Sequence, residues 1–445
     1  MNYIQLTDAD VRHMLDTIGV DRVYALFEDI PPGARLDQPL SVPEAISEME
    51  LIGELNRLAD MNRDAREQVC FLGGGVYDHF IPTVVDHLAT RGEFVTAYTP
   101  YQAEASQGAL QAFYEYQTMI CELTGMDVSN ASLYEGATAA AEAVLMARSI
   151  TGRRRVVVSA GVHPATRSVL DTYVQSLPIE PCVAQTFDGA THVEDLRRAV
   201  NDDTAAVLVQ TPNFFGVIER LDAIGAVARA AGALTIVSVD PISCALLKRP
   251  GSLGADIVVG DAQTLGIPMS LGGPSLGFMA CNQKYMRKMP GRLVGATTDT
   301  AGRRAFCLTL QTREQHIRRE RATSNICTNQ GLMALRVAIY LSAVGKRGAM
   351  RVASLCLDKA HYAADRIAAV DGFEMRFGSP FFKEFVVRTS KDVDRVLAHC
   401  RSRGILAGIP LGRWYHELRD CFLVAVTEKR TRTEIDALVE ALEEA

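Results

Sequence analysis

From Arg155 onward the chain alternates short apolar, β-branched runs with helix-like stretches, and nothing else in the sequence restricts its fold as much. Runs at 156–159, 182–185, 205–210, 234–239 and 256–259 read as strands, and helical periodicity at 193–200 and 224–231 separates several of them. Strands that are apolar at almost every position are buried on both faces. The expected core is therefore a largely parallel sheet covered by helices on each side. In an open sheet of this kind ligands lie beyond the carboxyl ends of the strands. His163, Asn213 and Asp240 each fall just after such a run, so that edge is where chemistry is expected.

The 445 residues leave room for more than one domain. Residues 1–70 read as a helical arm, 71–330 as the large α/β domain and 331–445 as a small α+β domain. In the arm, Thr7-Asp-Ala-Asp can cap one helix. Ser41-Val-Pro-Glu44 is a capping-box pattern ahead of Ile46, Met49, Ile52 and Leu55. A long helical span from 329 to about 370 leads into the last domain. There 373–377, 385–388 and 421–426 resemble strands, and 393–403 and 433–444 resemble helices.

A net charge of −7 argues against nucleic acid or an anionic membrane as partner. The ten cysteines include no C-x-x-C, and none pairs with a histidine at metal-ligand spacing, so reduced thiols are expected rather than a disulfide framework or a metal site. The start of the chain lacks the pattern of a secretory or transit segment. No apolar run approaches the roughly 18–20 residues needed to span a bilayer. The expectation is a cytoplasmic protein.

Several segments carry chemistry-bearing residues. Gly73-Gly-Gly75 permits close backbone approach and positive φ. Tyr98, Tyr101 and Gln102 cluster around Pro100 and either pack at a domain seam or reach toward a site. Gly136 opens an alanine-rich helix whose exposed N–H groups could cradle a phosphate, although such a helix also suits tight packing on a sheet. Arg313, Arg318, Arg319 and Arg321 form either a solvated face paired with Glu314 and Glu320 or an anion-recognition surface.

The stretch Val237-Ser-Val-Asp-Pro-Ile, then Asp256-Ile-Val-Val, then a Gly-Pro-rich turn, resembles the core of fold-type I pyridoxal phosphate (PLP) enzymes. The resemblance gives Asp240 the role of partner to the pyridine nitrogen and His163 that of stacking on the ring. It also calls for a Schiff-base lysine about two dozen residues after the aspartate. The window from Asp261 to Gly266 holds Gln263 and Thr264 but no lysine, and neither side chain can form an imine. The eight lysines, at 248, 284, 288, 346, 359, 383, 391 and 429, all lie outside it. The pocket of Gly136, His163 and Asp240 is therefore read as vestigial, without covalently bound PLP.

Longer motifs resemble one family, the P-protein of the glycine cleavage system, glycine dehydrogenase (decarboxylating). They include Thr96-Ala-Tyr-Thr-Pro-Tyr-Gln, Tyr116-Gln-Thr-Met-Ile-Cys-Glu-Leu-Thr-Gly-Met, Glu135-Gly-Ala-Thr-Ala-Ala-Ala-Glu-Ala, Met289-Pro-Gly-Arg-Leu-Val-Gly and Leu310-Gln-Thr-Arg-Glu-Gln-His-Ile-Arg-Arg-Glu. Length and motifs match the first-half type, subunit 1 (α), whose family places the PLP lysine in the second half. The resemblance implies a PLP-bearing subunit 2 (β) in an (αβ)2 assembly, decarboxylation of glycine, and transfer of the aminomethyl group to the lipoyl arm of the H-protein. It further implies that Tyr98, Tyr101 and Gln102 reach the partner's site, and that Thr323, Ser324 and Asn325 bind its cofactor phosphate across the interface. Two alternatives stay open: a purely structural, catalytically silent partner, and a self-sufficient PLP-dependent transferase.

Overall fold

The structure is a computed structural model that describes residues 6–36, 38, 40–98, 100–270, 272–322 and 324–445. The chain divides into two compact units, Met1–Arg63 and Asp64–Ala445.

The first unit holds helix α1 (Asp8–Ile18) and helix α2 (Glu48–Ala59). Helix α1 starts where expected: the Thr7 hydroxyl accepts the Asp10 N–H, and the Asp10 carboxylate accepts the Thr7 N–H at 2.8 Å. Helix α2 does not start at Ser41. Val42 precedes Pro43, whose ring disfavours the helical conformation in the residue before it. The next S-x-x-E box therefore starts the helix, with Ser47 and Glu50 capping each other reciprocally.

The second unit is built on a seven-stranded sheet. Its strands are β1 (Val128–Ser129), β2 (Arg155–Ser159), β3 (Glu180–Ala184), β4 (Thr204–Thr211), β5 (Leu234–Val239), β6 (Ile257–Asp261) and β7 (Gly277–Cys281). They lie in the order β1-β7-β6-β5-β4-β2-β3. The run from β6 to β3 is parallel, and β7 is antiparallel to both β6 and β1. Strand β7 follows the Gly272-Gly273-Pro274 stretch that the sequence suggested only as a turn.

Period-two alternation sends successive residues to opposite faces. Val157, Val207, Val237 and Val258 pack on one side with Leu110 and Phe113 of helix α3 (Gln107–Thr124). Val156, Val158, Leu208 and Ile236 pack on the other with Ala140 and Val144 of helix α4 (Gly136–Thr151). Burying each such valine, leucine or isoleucine contributes about 1.5–3 kcal/mol. Helix α5 (Pro164–Val174) and helix α6 (Leu221–Ala230) complete the two layers.

Helix α7 (Gly331–Ala368) bends at Gly345, whose φ of +60° and ψ of 179° only glycine adopts readily. A four-stranded antiparallel sheet follows: β8 (Phe373–Met375), β9 (Glu384–Thr389), β10 (Ile409–Pro410) and β11 (Cys421–Ala425), in the order β8-β9-β11-β10. Helix α8 (Val393–Ser402) and helix α9 (Arg432–Glu444) pack in its core through Val396, Leu397, Leu438 and Leu442.

The lead-in to β9 is tied to the loop after β4. An antiparallel bridge joins Val217 and Phe381, and the Phe382 N–H donates to the Gly216 carbonyl at 3.2 Å. A Cβ on Gly216 would lie 1.9 Å from the Glu384 carbonyl oxygen, so only glycine permits this approach. The link lays Lys383 and Glu384 over the carboxyl edge of the main sheet. Among the described residues, no helix is long and apolar enough to cross a membrane.

Candidate functional site

A cavity of about 210 Å³ opens at that carboxyl edge, and Gly136, His163 and Asp240 all line it. The sequence-derived pocket residues are thus brought together. His163 caps helix α5: its Nδ1 accepts the Ala165 N–H at 3.0 Å, and its Nε2 lies 2.7 Å from the Gly74 carbonyl oxygen. Those partners assign the proton to Nε2. Burial holds the ring below the ordinary histidine value. A neutral ring with both nitrogens engaged is a structural fixture.

The lysine window is closed by backbone pairing. Gln263 is buried; its Oε1 accepts the Tyr77 N–H at 3.0 Å, and its Nε2 donates to the Tyr77 and Ile267 carbonyls at 3.2 and 2.8 Å. Thr264 is also buried, with its hydroxyl unpaired, and it lines the cavity. The amide of Gln263 therefore locks the glycine-rich segment onto the strand end.

The sequence missed the residue that dominates this pocket. Lys383 is 2% exposed, and its ammonium lies 2.8 Å from Asp240 Oδ2. The contact is an ion pair without the angle of a hydrogen bond, since Oδ2 accepts none. The ammonium also lies 3.5 Å above the centre of the Tyr77 ring and 3.0 Å from His79 Nε2. His79 Nδ1 lies 2.6 Å from Glu428 Oε2. Burial and the Lys383 charge hold His79 below its ordinary value, so a neutral imidazole accepts from the lysine and donates to Glu428. One signal for Lys383 was present: a Lys-Glu pair inside the apolar run Phe381-Phe-Lys-Glu-Phe385.

Glu384 lines the same cavity. It accepts the Gly74 N–H at 2.7 Å and the Tyr77 hydroxyl at 2.8 Å, and burial pushes its carboxyl up to about 7. At the start of helix α4, Asp261 accepts the Gly136 N–H at 3.1 Å, the Gln263 N–H at 2.9 Å and the Ser275 hydroxyl at 2.5 Å. Burial raises Asp261 above the usual carboxylate range. Glu135 takes the Thr138 N–H at 2.7 Å. The helix start that could cradle a phosphate is thus lined by carboxylates, and the aspartate suited to a pyridine nitrogen faces an ammonium. This donor set does not fit PLP.

The second group of sequence-derived residues lies elsewhere. Tyr98 is 99% exposed, and Gln102 is exposed, with its carbonyl accepting the Ala105 and Ser106 N–H groups. Tyr101 is half-buried; its hydroxyl donates to Asn329, and the Arg292 guanidinium lies 4.4 Å over its ring. Tyr98 and Tyr101 border one cavity of about 400 Å³. Tyr101 and Asn325 border another of about 740 Å³. Asn325 and Ser324 border a third of about 690 Å³. Tyr101 links the first to the second, and Asn325 the second to the third. Ser324 is half-buried, and its hydroxyl accepts the Ile326 N–H at 3.0 Å and engages Glu142, which burial pushes up to about 7. Thr323 lies outside the described residues. Arg313 is buried and donates to the Met289 and Gly291 carbonyls, which makes it structural, whereas Arg318, Arg319 and Arg321 are exposed.

A mainly parallel, doubly covered sheet with His163 and Asp240 at its carboxyl edge is the scaffold of fold-type I PLP-dependent enzymes; the window in which the resemblance calls for a lysine holds Gln263 and Thr264. Comparison with known proteins narrows this class. A family model described as "Glycine cleavage system P-protein" matches residues 1–442. The probable glycine dehydrogenase (decarboxylating) subunit 1 of Desulforamulus reducens is 51% identical over 442 residues, 99% of each chain. That of Geobacillus thermodenitrificans is 52% identical over 440 residues, 99% of this chain and 98% of its own. The crystal structure of a glycine decarboxylase (P-protein) in inhibitor-bound form superposes with a TM-score of 0.93 at 44% identity, covering 100% of both chains. A sphingosine-1-phosphate lyase of Burkholderia pseudomallei, 16% identical with a TM-score of 0.68 over 93% of this chain and 94% of its own, shares the fold alone. The chain belongs to the glycine cleavage system P-protein family.

Proposed function

We propose that the chain is subunit 1 (α) of glycine dehydrogenase (decarboxylating), acting with a PLP-bearing subunit 2 (β) in an (αβ)2 assembly. Together they decarboxylate glycine and pass the aminomethyl group to the lipoyl arm of the H-protein. One observation carries this reading: Gln263, paired to the backbone of Tyr77, stands in the lysine window. Full-length similarity to chains named subunit 1 supports it.

PLP held by subunit 2 supplies the electron sink for decarboxylation. The work of this chain is positioning. In this reading Tyr98, Tyr101 and Gln102 serve the partner's glycine site, with Tyr101 held by Asn329 and under Arg292. Thr323 and Asn325 offer hydroxyl and amide donors to the partner's cofactor phosphate, and Ser324 joins them once its hydroxyl leaves Glu142.

Glycine–CO2 exchange by the reconstituted complex tests these roles. Tyr98→Phe and Thr323→Ala each lower kcat/KM while the complex still assembles. Wild-type exchange in both variants would leave the chain a purely structural partner.

A further inference from the structure

The charged groups around the small cavity have a pattern that burial alone does not require. PLP carries two charged ends: a pyridine nitrogen that is cationic when paired with a carboxylate, and a phosphate that is anionic. A scaffold of this class meets the first with an aspartate at the end of a central strand and the second with the N-terminus of a helix. Both receiving elements are present here, as Asp240 after β5 and Gly136 at the start of helix α4. Each already has a partner of the right sign from within the chain.

We propose that this pocket is self-liganded: the Lys383 ammonium takes the place of the pyridinium at Asp240, and the Asp261 carboxylate takes the place of the phosphate at the start of helix α4. The pocket therefore keeps the electrostatic form of a cofactor site while refusing the cofactor.

The two stand-ins are fixed by different elements. Lys383 comes from the lead-in to β9, where the Val217–Phe381 bridge sets its backbone. Its ammonium is held from behind by His79 Nε2 at 3.0 Å and from the side by the Tyr77 ring at 3.5 Å. It cannot swing away without leaving the buried His79 and the nearly buried Asp240 without their partner. Asp261 comes from the end of β6 and is anchored by the Gln263 N–H and the Ser275 hydroxyl. A phosphate placed at the Gly136 N–H would meet this carboxylate at like-charge contact.

Lys383 is an amine inside the pocket, but it sits at the wrong end to form an imine. The pyridine nitrogen and the ring carbon bearing the aldehyde are para to each other, so a lysine occupying the nitrogen's partner cannot also reach the aldehyde. The inference rests on the scaffold and not on the subunit reading. Partner-dependent glycine–CO2 exchange would stand even if this pocket proved open.

The test is calorimetric titration of the full-length chain with 4-deoxypyridoxine 5′-phosphate, which has the ring nitrogen and the phosphate but no aldehyde. The wild type gives no saturable binding at concentrations that saturate Lys383→Met/Asp261→Asn. The double variant binds at least tenfold more tightly, and adding Asp240→Asn removes the gain. Wild-type binding as tight as that of the variant, or no gain in a folded variant, overturns the proposal. A second measurement needs no variant: reductive methylation of the wild type followed by peptide mass spectrometry. Lys383 stays unmodified with and without PLP. A methylation at Lys383 that PLP suppresses, or a phosphopyridoxyl label on Lys383 after borohydride, overturns it.

Discussion

The two regions that carry the chemistry-bearing residues differ in how far the chain satisfies them by itself. Around the small cavity, Lys383, His79, Gln263 and Asp261 are each buried or nearly so and are held by partners from the same chain. In the second group, Tyr98, Gln102 and Asn325 stand exposed, and Tyr101 is held by Asn329. A buried polar group with every partner in place rigidifies a fold and offers little to a ligand. An exposed aromatic residue on a braced loop is the reverse: it adds little to the stability of its own chain and is free to contact another. In this comparison the sheet-edge pocket is satisfied from within the chain, and the exposed tyrosine and amide residues are not.

Breaking the architectural side has the largest expected effect. Lys383→Met leaves Asp240, whose side chain is 9% exposed, without its cation, which costs about 3–5 kcal/mol of stability. Urea unfolding measures it, and adding Asp240→Asn recovers much of the loss because the orphaned charge goes with it. A loss under about 1 kcal/mol would mean that the pair is incidental.

The next effect is on pH dependence. Burial raises the Glu384 carboxyl from its ordinary 4.5 to about 7. Its protonated form therefore contributes stability that is complete below about 4.5 and is lost as the pH rises through about 7. The loss is about 3 kcal/mol at 1.36 kcal/mol per unit. Unfolding measured from pH 4.5 to 7.5 shows this slope in the wild type and a flatter one in Glu384→Gln.

The smallest effect on the isolated chain, and the sharpest contrast, comes from the exposed face. Tyr98→Ala changes the stability of the chain by less than about 0.5 kcal/mol, because the ring is 99% exposed. The same change lowers exchange in the reconstituted complex about tenfold or more, since a misplaced contact at a reacting centre is costly. Equal effects in both assays would erase the distinction between the two regions.

How much of this could be read beforehand depends on the range of the interactions involved. The parallel sheet was legible because Val156–Val158 and Leu234–Val239 carry their burial in local pattern. The convergence of Gly136, His163 and Asp240 on one cavity was legible because each follows a recognisable strand or opens a helix. The start of helix α2 was misplaced because two S-x-x-E boxes lie close together and the choice turned on Pro43. Lys383 is hidden from the sequence for a different reason. Its partners, Asp240, His79 and Tyr77, come from distant segments that meet only in the folded chain, through contacts such as the Val217–Phe381 bridge and the Tyr77–Glu384 hydrogen bond. The Asp261 carboxylate carries no local signal either, because its contact with Gly136 is tertiary.

The central claim is a division of labour between two chains, and glycine–CO2 exchange measured on this chain, on its partner and on the mixture tests it most directly. The account predicts background exchange from this chain alone, with no absorbance band of bound PLP, and full activity only when both are present. A lone chain that is yellow with cofactor and exchanges CO2 with glycine would contradict it.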